Sequence, residues 1–144
     1  MKDVNTPLRV AFKEAFAAID VNLSVTDHFA VNILPDQNNS SVKYVLLMDI
    51  LSSTITNKCT TNYHDIAINI NINEAFLSPL ISQTGIDFTA AQIISSVIDF
   101  NSIVLPGFQV VSAKKDRDNV IVERREHFNI ATRILTFRFR IKEL

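Results

Sequence analysis

The segment TRILTFRFRI at residues 132–141 alternates large apolar residues with mostly polar or basic ones at a period of two. Because successive side chains of a β-strand point to opposite faces, the pattern predicts a strand with two different faces. One set is expected to face the core of the protein: Leu135, Phe137, Phe139 and Ile141. The other set is expected on the opposite face: Ile134, Thr136, Arg138 and Arg140. The chain must therefore build a sheet that is covered on one side.

Two segments have the helical periodicity needed to cover such a sheet. Thr6 followed by Pro7 is typical of a helix start, and apolar residues recur at helical spacing from there to about residue 20. Thr89 and Gln92 form a capping box, and the apolar positions after it predict a second helix over 90–99. Both helices should place an apolar face on the sheet.

The remaining apolar runs read as strands separated by polar connections. Strands are predicted near 25–33, from Lys43 to about residue 51, over 64–72, over 108–114, over 120–128 and at the C-terminal run. The turn-forming KDRDN should join two of these into a hairpin with a charged tip, and the segment 73–88 should be a long loop. The order α-βββ-α-βββ predicts one α+β domain over 1–144, with a largely antiparallel sheet and both helices on one face.

Charge is divided unevenly along the chain. The formal net charge is -1, which argues against general binding to nucleic acid or anionic membranes. Residues 1–99 contain five Lys/Arg and ten Asp/Glu, a net charge of -5, whereas residues 100–144 contain nine and five, a net charge of +4. This charge split suits head-to-tail self-association, in which the basic part of one copy meets the acidic part of the next. Neutralisation within one fold is the alternative.

No arrangement of residues in the sequence indicates catalysis. Asp27–His28 and Asp65–His64 are sequence neighbours, so on strands their side chains point to opposite faces and form no dyad. A lone Cys59 excludes an internal disulfide and a cysteine-based zinc site. We therefore predict no enzyme and no catalytic, cofactor-binding or metal-binding residues. The alternative is a ligand pocket between sheet and helices that draws on His64, Asp65 and His127.

The basic residues of the C-terminal part are the candidate interaction residues. They are Lys114, Lys115, Arg117, Arg124 and Arg125 of the predicted hairpin, together with Arg138 and Arg140 of the final strand. Acidic residues are interleaved with the hairpin set, and mixed sign favours a protein-binding or solvated surface over a DNA-binding one. An ordinary polar outer face is the alternative.

Three stretches resemble a known family, the tail completion or tail terminator proteins of long-tailed bacteriophages. The first is PLRVAFKEAFAAI before KYVLLMDI, matching at Leu8, Arg9, Tyr44 and Val45. The second is TNKCTTNYHDIAINI, through Thr56, Asn57, Lys58 and 65–70. The third and most specific is the final strand, matching at Arg133, Leu135, Phe137, Arg138, Phe139, Arg140 and Ile141.

The resemblance implies a structural part of the virion, made in the host cytoplasm. Such proteins form a ring, typically a hexamer, at the head-proximal end of the tail, where they stop polymerisation of the tail-tube protein and join the tail to the head-tail connector or neck protein. DNA would pass through the lumen without specific recognition. No enzyme activity, cofactor or membrane is implied. A head-side adaptor or baseplate protein of the same fold is the alternative position in the virion.

Overall fold

A computed structural model describes residues 3–19, 24–26, 41–58, 61–98 and 105–144. Two helices and five strands make up these residues. In chain order they are α1 (Asn5–Ile19), β1 (Ser24–Thr26), β2 (Ser41–Lys58), β3 (Thr61–Leu77), α2 (Thr84–Ile98), β4 (Phe108–Arg124) and β5 (Phe128–Glu143). Most of the predicted strand near 25–33, together with His28 and Cys59, lies outside the described residues.

The five strands form one sheet in the order β1-β2-β3-β5-β4. β1 is parallel to β2, and the other neighbours are antiparallel. The apolar sides of α1 and α2 pack on the same face of this sheet and share one hydrophobic core with it. The predicted α+β class, the largely antiparallel sheet and the placement of both helices are therefore confirmed.

The core shows why the alternating pattern of β5 was informative. The four apolar residues predicted to face the helices are all buried, and β3 supplies a matching row: Ile66, Ile68, Ile70 and Ile72. The ring of Phe12 on α1 lies 5.4 Å from the ring of Phe139 and 5.4 Å from that of Phe16. We call the side of the sheet that carries α1 and α2 the helix face, and the opposite side the outer face.

The predicted hairpin over 108–128 is wrong, because β4 is one continuous strand through the KDRDN segment. Two β-bulges, at Val111 and Asp116, absorb extra residues while β4 stays paired with β5. Acidic residues of the segment bind arginines of β5, Asp116 with Arg138 and Asp118 with Arg133. Cross-strand pairing thus overrides the local turn preference, and two strands rather than three follow α2.

The segment 73–88 is also more ordered than the sequence predicted. β3 continues to Leu77 and α2 begins at Thr84, so the connection is short and contains a cis peptide bond before Pro79. The N-terminus of α2 is marked by Ser82, whose hydroxyl accepts the N–H of Thr84 at 3.3 Å. The predicted capping residue Thr89 instead lies buried within the helix.

α1 begins slightly before the predicted Thr6–Pro7 start. The Asp3 carboxylate accepts the N–H of Asn5 at 3.0 Å, and this bond, together with one from Thr6, lowers the pKa of Asp3. Pro7 lies in the first turn, where its missing N–H costs no hydrogen bond. Neither α1 nor α2, the helices within the described ranges, is long and apolar enough to cross a membrane.

Candidate interaction surface

β4 forms one edge of the sheet, and over residues 111–124, which we call the β4 edge, its side chains are exposed on both faces except for the half-buried Ala113 and Asp118. Its exposed side chains include large apolar ones: Val111 (46% exposed), Val120 (45%), Ile121 (52%) and Val122 (40%). Single exposed apolar residues are common on protein surfaces, but three in a row on an edge strand are typical of a surface that another chain covers.

Three of the predicted basic residues come together on the outer face beside this edge. Lys114 lies opposite Arg138, and Ser112 lies opposite Arg140. Together with Asp65 of β3 they line an open groove of about 450 Å³, which we call the basic groove. The charged side chains that line the groove are three cations, Lys114, Arg138 and Arg140, and one carboxylate, Asp65.

The arginines of the basic groove are held by neighbours yet remain accessible. Arg138 Nε lies 3.0 Å from Asp116 Oδ2, and Arg140 Nη1 lies 3.9 Å from Asp65 Oδ1. The guanidinium of Arg140 also stacks over the ring of Tyr63, 4.9 Å from its centroid. These contacts orient the two guanidinium groups. The side chains are still 58% and 42% exposed, so their remaining N–H groups can bind solvent or a partner.

Arg124 and Arg125 form a separate group at the far end of β4. Arg125 Nη2 binds Glu123 Oε1 at 2.7 Å, and its guanidinium lies 5.3 Å from the Phe128 ring centroid. Ten residues of extended chain separate Arg124 from Lys114, roughly 30 Å at the usual rise per residue. The seven predicted residues therefore do not form one cluster.

The bulge at Asp116 divides the remaining two basic residues between the faces of the sheet. Lys115 pairs with Phe137 and so lies on the helix face, where its Nζ binds Asp118 Oδ2 at 3.1 Å. Arg117 pairs with Thr136 and lies exposed on the outer face. Sequence spacing alone could not show this, because a bulge shifts the alternation of side chains by one residue.

Arg133 is the residue of this region that the sequence prediction missed as a site. Its guanidinium binds Asp118 of β4 through two hydrogen bonds of 2.7 and 2.8 Å, and Asp87 of α2 at 3.0 Å. Hydrogen bonding from Arg133, with help from Lys115, lowers the pKa of Asp118, and the two carboxylates raise the pKa of Arg133. The sequence does carry a signal for this site. Arg133 is an odd-numbered residue of β5 and so lies on the same face as the core residues Leu135 and Phe137, where a charged side chain needs a partner.

The outer face carries a series of hydrogen-bonded polar side chains between β3 and β5. Thr136 donates to Asn69 at 2.5 Å, and Thr132 donates to Asn73 at 2.8 Å. Asn71 lies between them with its side-chain oxygen buried and, among the described residues, without a hydrogen-bond partner. Asn69 and Asn73 therefore bond β3 to β5 across the outer face, which is the role of strand-pairing residues and not of residues that line a ligand pocket.

The three residues of the alternative ligand pocket do not converge. His64 is buried on the helix face, where its Nε2 lies 2.9 Å from Glu143 Oε1. Asp65 lies on the outer face with Arg140, and His127 is exposed in the turn between β4 and β5. Within the described ranges, no three His, Cys, Asp or Glu side chains are grouped so as to hold a metal ion.

Comparison with models of known protein families gives no match, and comparison with curated proteins gives none either. Solved structures do contain similar folds. One of them is a chain of the virion of a native gene transfer agent (GTA) particle, with a TM-score of 0.67 and 17% sequence identity. The similarity covers 98% of this chain and 99% of that chain, so the two share their fold from end to end.

Proposed function

We propose that the protein is a structural component of a phage-like virion that forms a ring at the head-proximal end of the tail. In this role it ends polymerisation of the tail tube and joins the tail to the head connector. The observation that carries the proposal is the end-to-end similarity in fold to a chain of a gene transfer agent virion. The resemblance of the final strand to tail terminator proteins supports the specific position in the tail.

The described surface suits assembly better than catalysis. Positive charge is concentrated on β4 and β5, where the basic groove keeps Arg138 and Arg140 accessible near the exposed Val111, and three more exposed aliphatic side chains follow at 120–122 further along β4. A surface that combines accessible arginines with exposed aliphatic side chains has the composition of a protein interface. Self-association into a ring needs one heterologous contact repeated around an axis, and the charge split of the sequence is complementary in the required sense.

Negative-stain microscopy of the purified protein, alone and mixed with the tail-tube protein of the same virus, tests the proposal. We expect rings, or caps at tube ends together with shorter tubes, and a solution mass that is a multiple of the 16.2 kDa chain. A tube-length distribution unaffected by excess protein would contradict the terminator role. Binding of the protein to the other end of the tail, or to the head alone, would instead favour a baseplate or adaptor position.

A further inference from the structure

Both edges of the described sheet present long stretches of backbone without a neighbouring strand. β1 pairs with Tyr44, Val45 and Leu46 only, so among the described strands the outer edge of β2 has no partner over 47–58. On the other side β4 presents seventeen residues, and no described strand lies beyond it. Open edges of this length are templates for strand pairing with another chain.

The two edges have the relative direction that pairing requires. β2, β3, β5 and β4 alternate in direction, so β4 runs antiparallel to β2 and to β1, which is parallel to β2. Rotation about an axis that runs parallel to the strands leaves the direction of every strand unchanged, so a second copy generated in this way has its strands in the same directions. Its β1–β2 edge would then meet β4 as an antiparallel neighbour, the more stable kind of strand pair.

The exposed apolar run of β4 lies at the level of β1 on the other side of the sheet. Following the pairs across the strands, Val120 aligns with Arg133, then with Ile72, Val45 and finally Val25. A copy added without a shift along the strand axis would therefore bring its β1 against Val120, Ile121 and Val122. Pairing there would cover the three side chains that are 40 to 52% exposed.

The segment that carries the β4 edge is basic, whereas the described strands β1 and β2 together contain only two Lys and one Asp. Residues 108–125 contain five Lys/Arg and three Asp/Glu, a net charge of +2. Pairing β4 with β4 of another copy would set the basic segment against itself and leave the β1–β2 edge open, whereas the nearly neutral β1–β2 edge avoids most of this repulsion.

We propose that the β4 edge pairs with the β1–β2 edge of a second copy, so that the sheet continues from one subunit into the next around the ring. The chain that covers the exposed edge is thus a second copy of the same protein. The contact is head-to-tail, so it repeats from subunit to subunit until the ring is closed. This inference rests on the proposed ring, whose contact it specifies.

Single-cysteine variants test the contact directly. In a Cys59→Ser background, Val25→Cys and Val120→Cys are prepared separately and together, and each is treated with a short flexible bismaleimide in the presence of tail-tube protein. We expect no covalent dimer from either single variant, dimers from an equal mixture, and a ladder of multimers from the double variant. A register shift of two residues moves the sites by about 7 Å, which the reagent spans.

Each result decides a different point. Dimers from Val120→Cys alone would overturn the proposal in favour of β4–β4 pairing. Rings in the micrographs without any cross-link would overturn the edge contact while the proposed function stands. The absence of rings, caps and cross-links together would remove both.

A charge substitution gives an independent check. Ile121→Lys should weaken ring formation about tenfold or more, because it places a charge in the covered apolar run. Val10→Lys is the matched control, since Val10 on α1 is 49% exposed and Ile121 is 52% exposed. Equal assembly of the two variants, with thermal melting unchanged in both, would contradict the proposed contact.

Discussion

Arg133 and Asp118 form a two-bond ion pair that ties β5 to the edge strand β4, with N–O distances of 2.7 and 2.8 Å. Both side chains are about one fifth exposed, so the pair is screened less than a surface ion pair. Two parallel hydrogen bonds between a guanidinium and a carboxylate also fix orientation. We expect this pair to hold the exposed half of β4 in register.

Replacing Asp118 should therefore lower stability. Asp118→Asn is expected to reduce the free energy of unfolding by about 1 to 2 kcal/mol, because Arg133 loses a charged partner on β4. Denaturant unfolding at neutral pH measures the change. Asp116→Asn is the control, since its partner Arg138 is 58% exposed and the loss should stay below about 0.5 kcal/mol. Equal losses in the two variants would contradict the special role of Asp118.

The same ion pair predicts a pH dependence. The pKa of Asp118 is lower in the folded protein than in the unfolded chain, chiefly through Arg133, so its stabilising contribution is complete above the unfolded value of about 3.9. The contribution is lost as pH falls through the folded pKa. The stability difference between the wild type and Asp118→Asn should thus be constant from pH 5 to 7 and shrink below about pH 4.

The buried His64 depends on one acceptor near the end of β5. Glu143→Ala should cost about 1 to 3 kcal/mol of stability, because His64 is 2% exposed and would lose the carboxylate 2.9 Å from its Nε2. Glu143→Gln keeps an acceptor oxygen and should cost less. The two variants are compared by thermal melting, and a larger loss for Glu143→Gln would show that the hydrogen bond is not the important interaction.

The core side of β5 should be the most sensitive part of the strand. Phe137 is fully buried between the helices and the sheet, so Phe137→Ala should cost about 3 to 5 kcal/mol through lost burial and the cavity left behind. Chemical denaturation of the variant measures this loss. Val10→Ala at an exposed helical position should change stability by less than about 0.5 kcal/mol. A small effect at Phe137 would mean that the core repacks around it.

The outer side of β5 should affect assembly and leave folding intact. Arg138→Glu with Arg140→Glu reverses the charge of the basic groove, so we expect ring formation and tail completion to fail while the melting temperature changes little. The paired Arg138→Lys, Arg140→Lys variant keeps the charge and should assemble at least in part. Unchanged infectivity of particles carrying the glutamate pair would rule out this groove as a contact.

The features that the sequence predicted correctly depend on residues close together in the chain. The alternation in TRILTFRFRI gave both faces of β5 correctly, because a period of two needs no knowledge of the neighbouring strands. The KDRDN segment has turn composition, yet it lies within β4 because Arg133 and Arg138 of β5 bind its aspartates. That information sits about twenty residues away in the chain, and the two bulges that make room for it have no signature in the local sequence.

The candidate surface was predicted in part for the same reason. Arg138 and Arg140 were placed on the outer face correctly, and Lys114 joins them across the strand pair. Arg124 and Arg125 were grouped with them only because a hairpin would have folded the segment back on itself. A straight β4 carries them to the other end of the edge, and whether the two groups serve one interface stays a prediction.

The strand order β1-β2-β3-β5-β4 has a consequence for synthesis on the ribosome. β5 is translated after every other element described here, yet it lies inside the sheet between β3 and β4. Until residues 128–143 leave the exit tunnel, β3 lacks one neighbour and β4 has none. A nascent chain stopped before Phe128 therefore exposes unpaired strand edges of β3 and β4, and the β3–β5–β4 part of the sheet can form only after β5 has been translated.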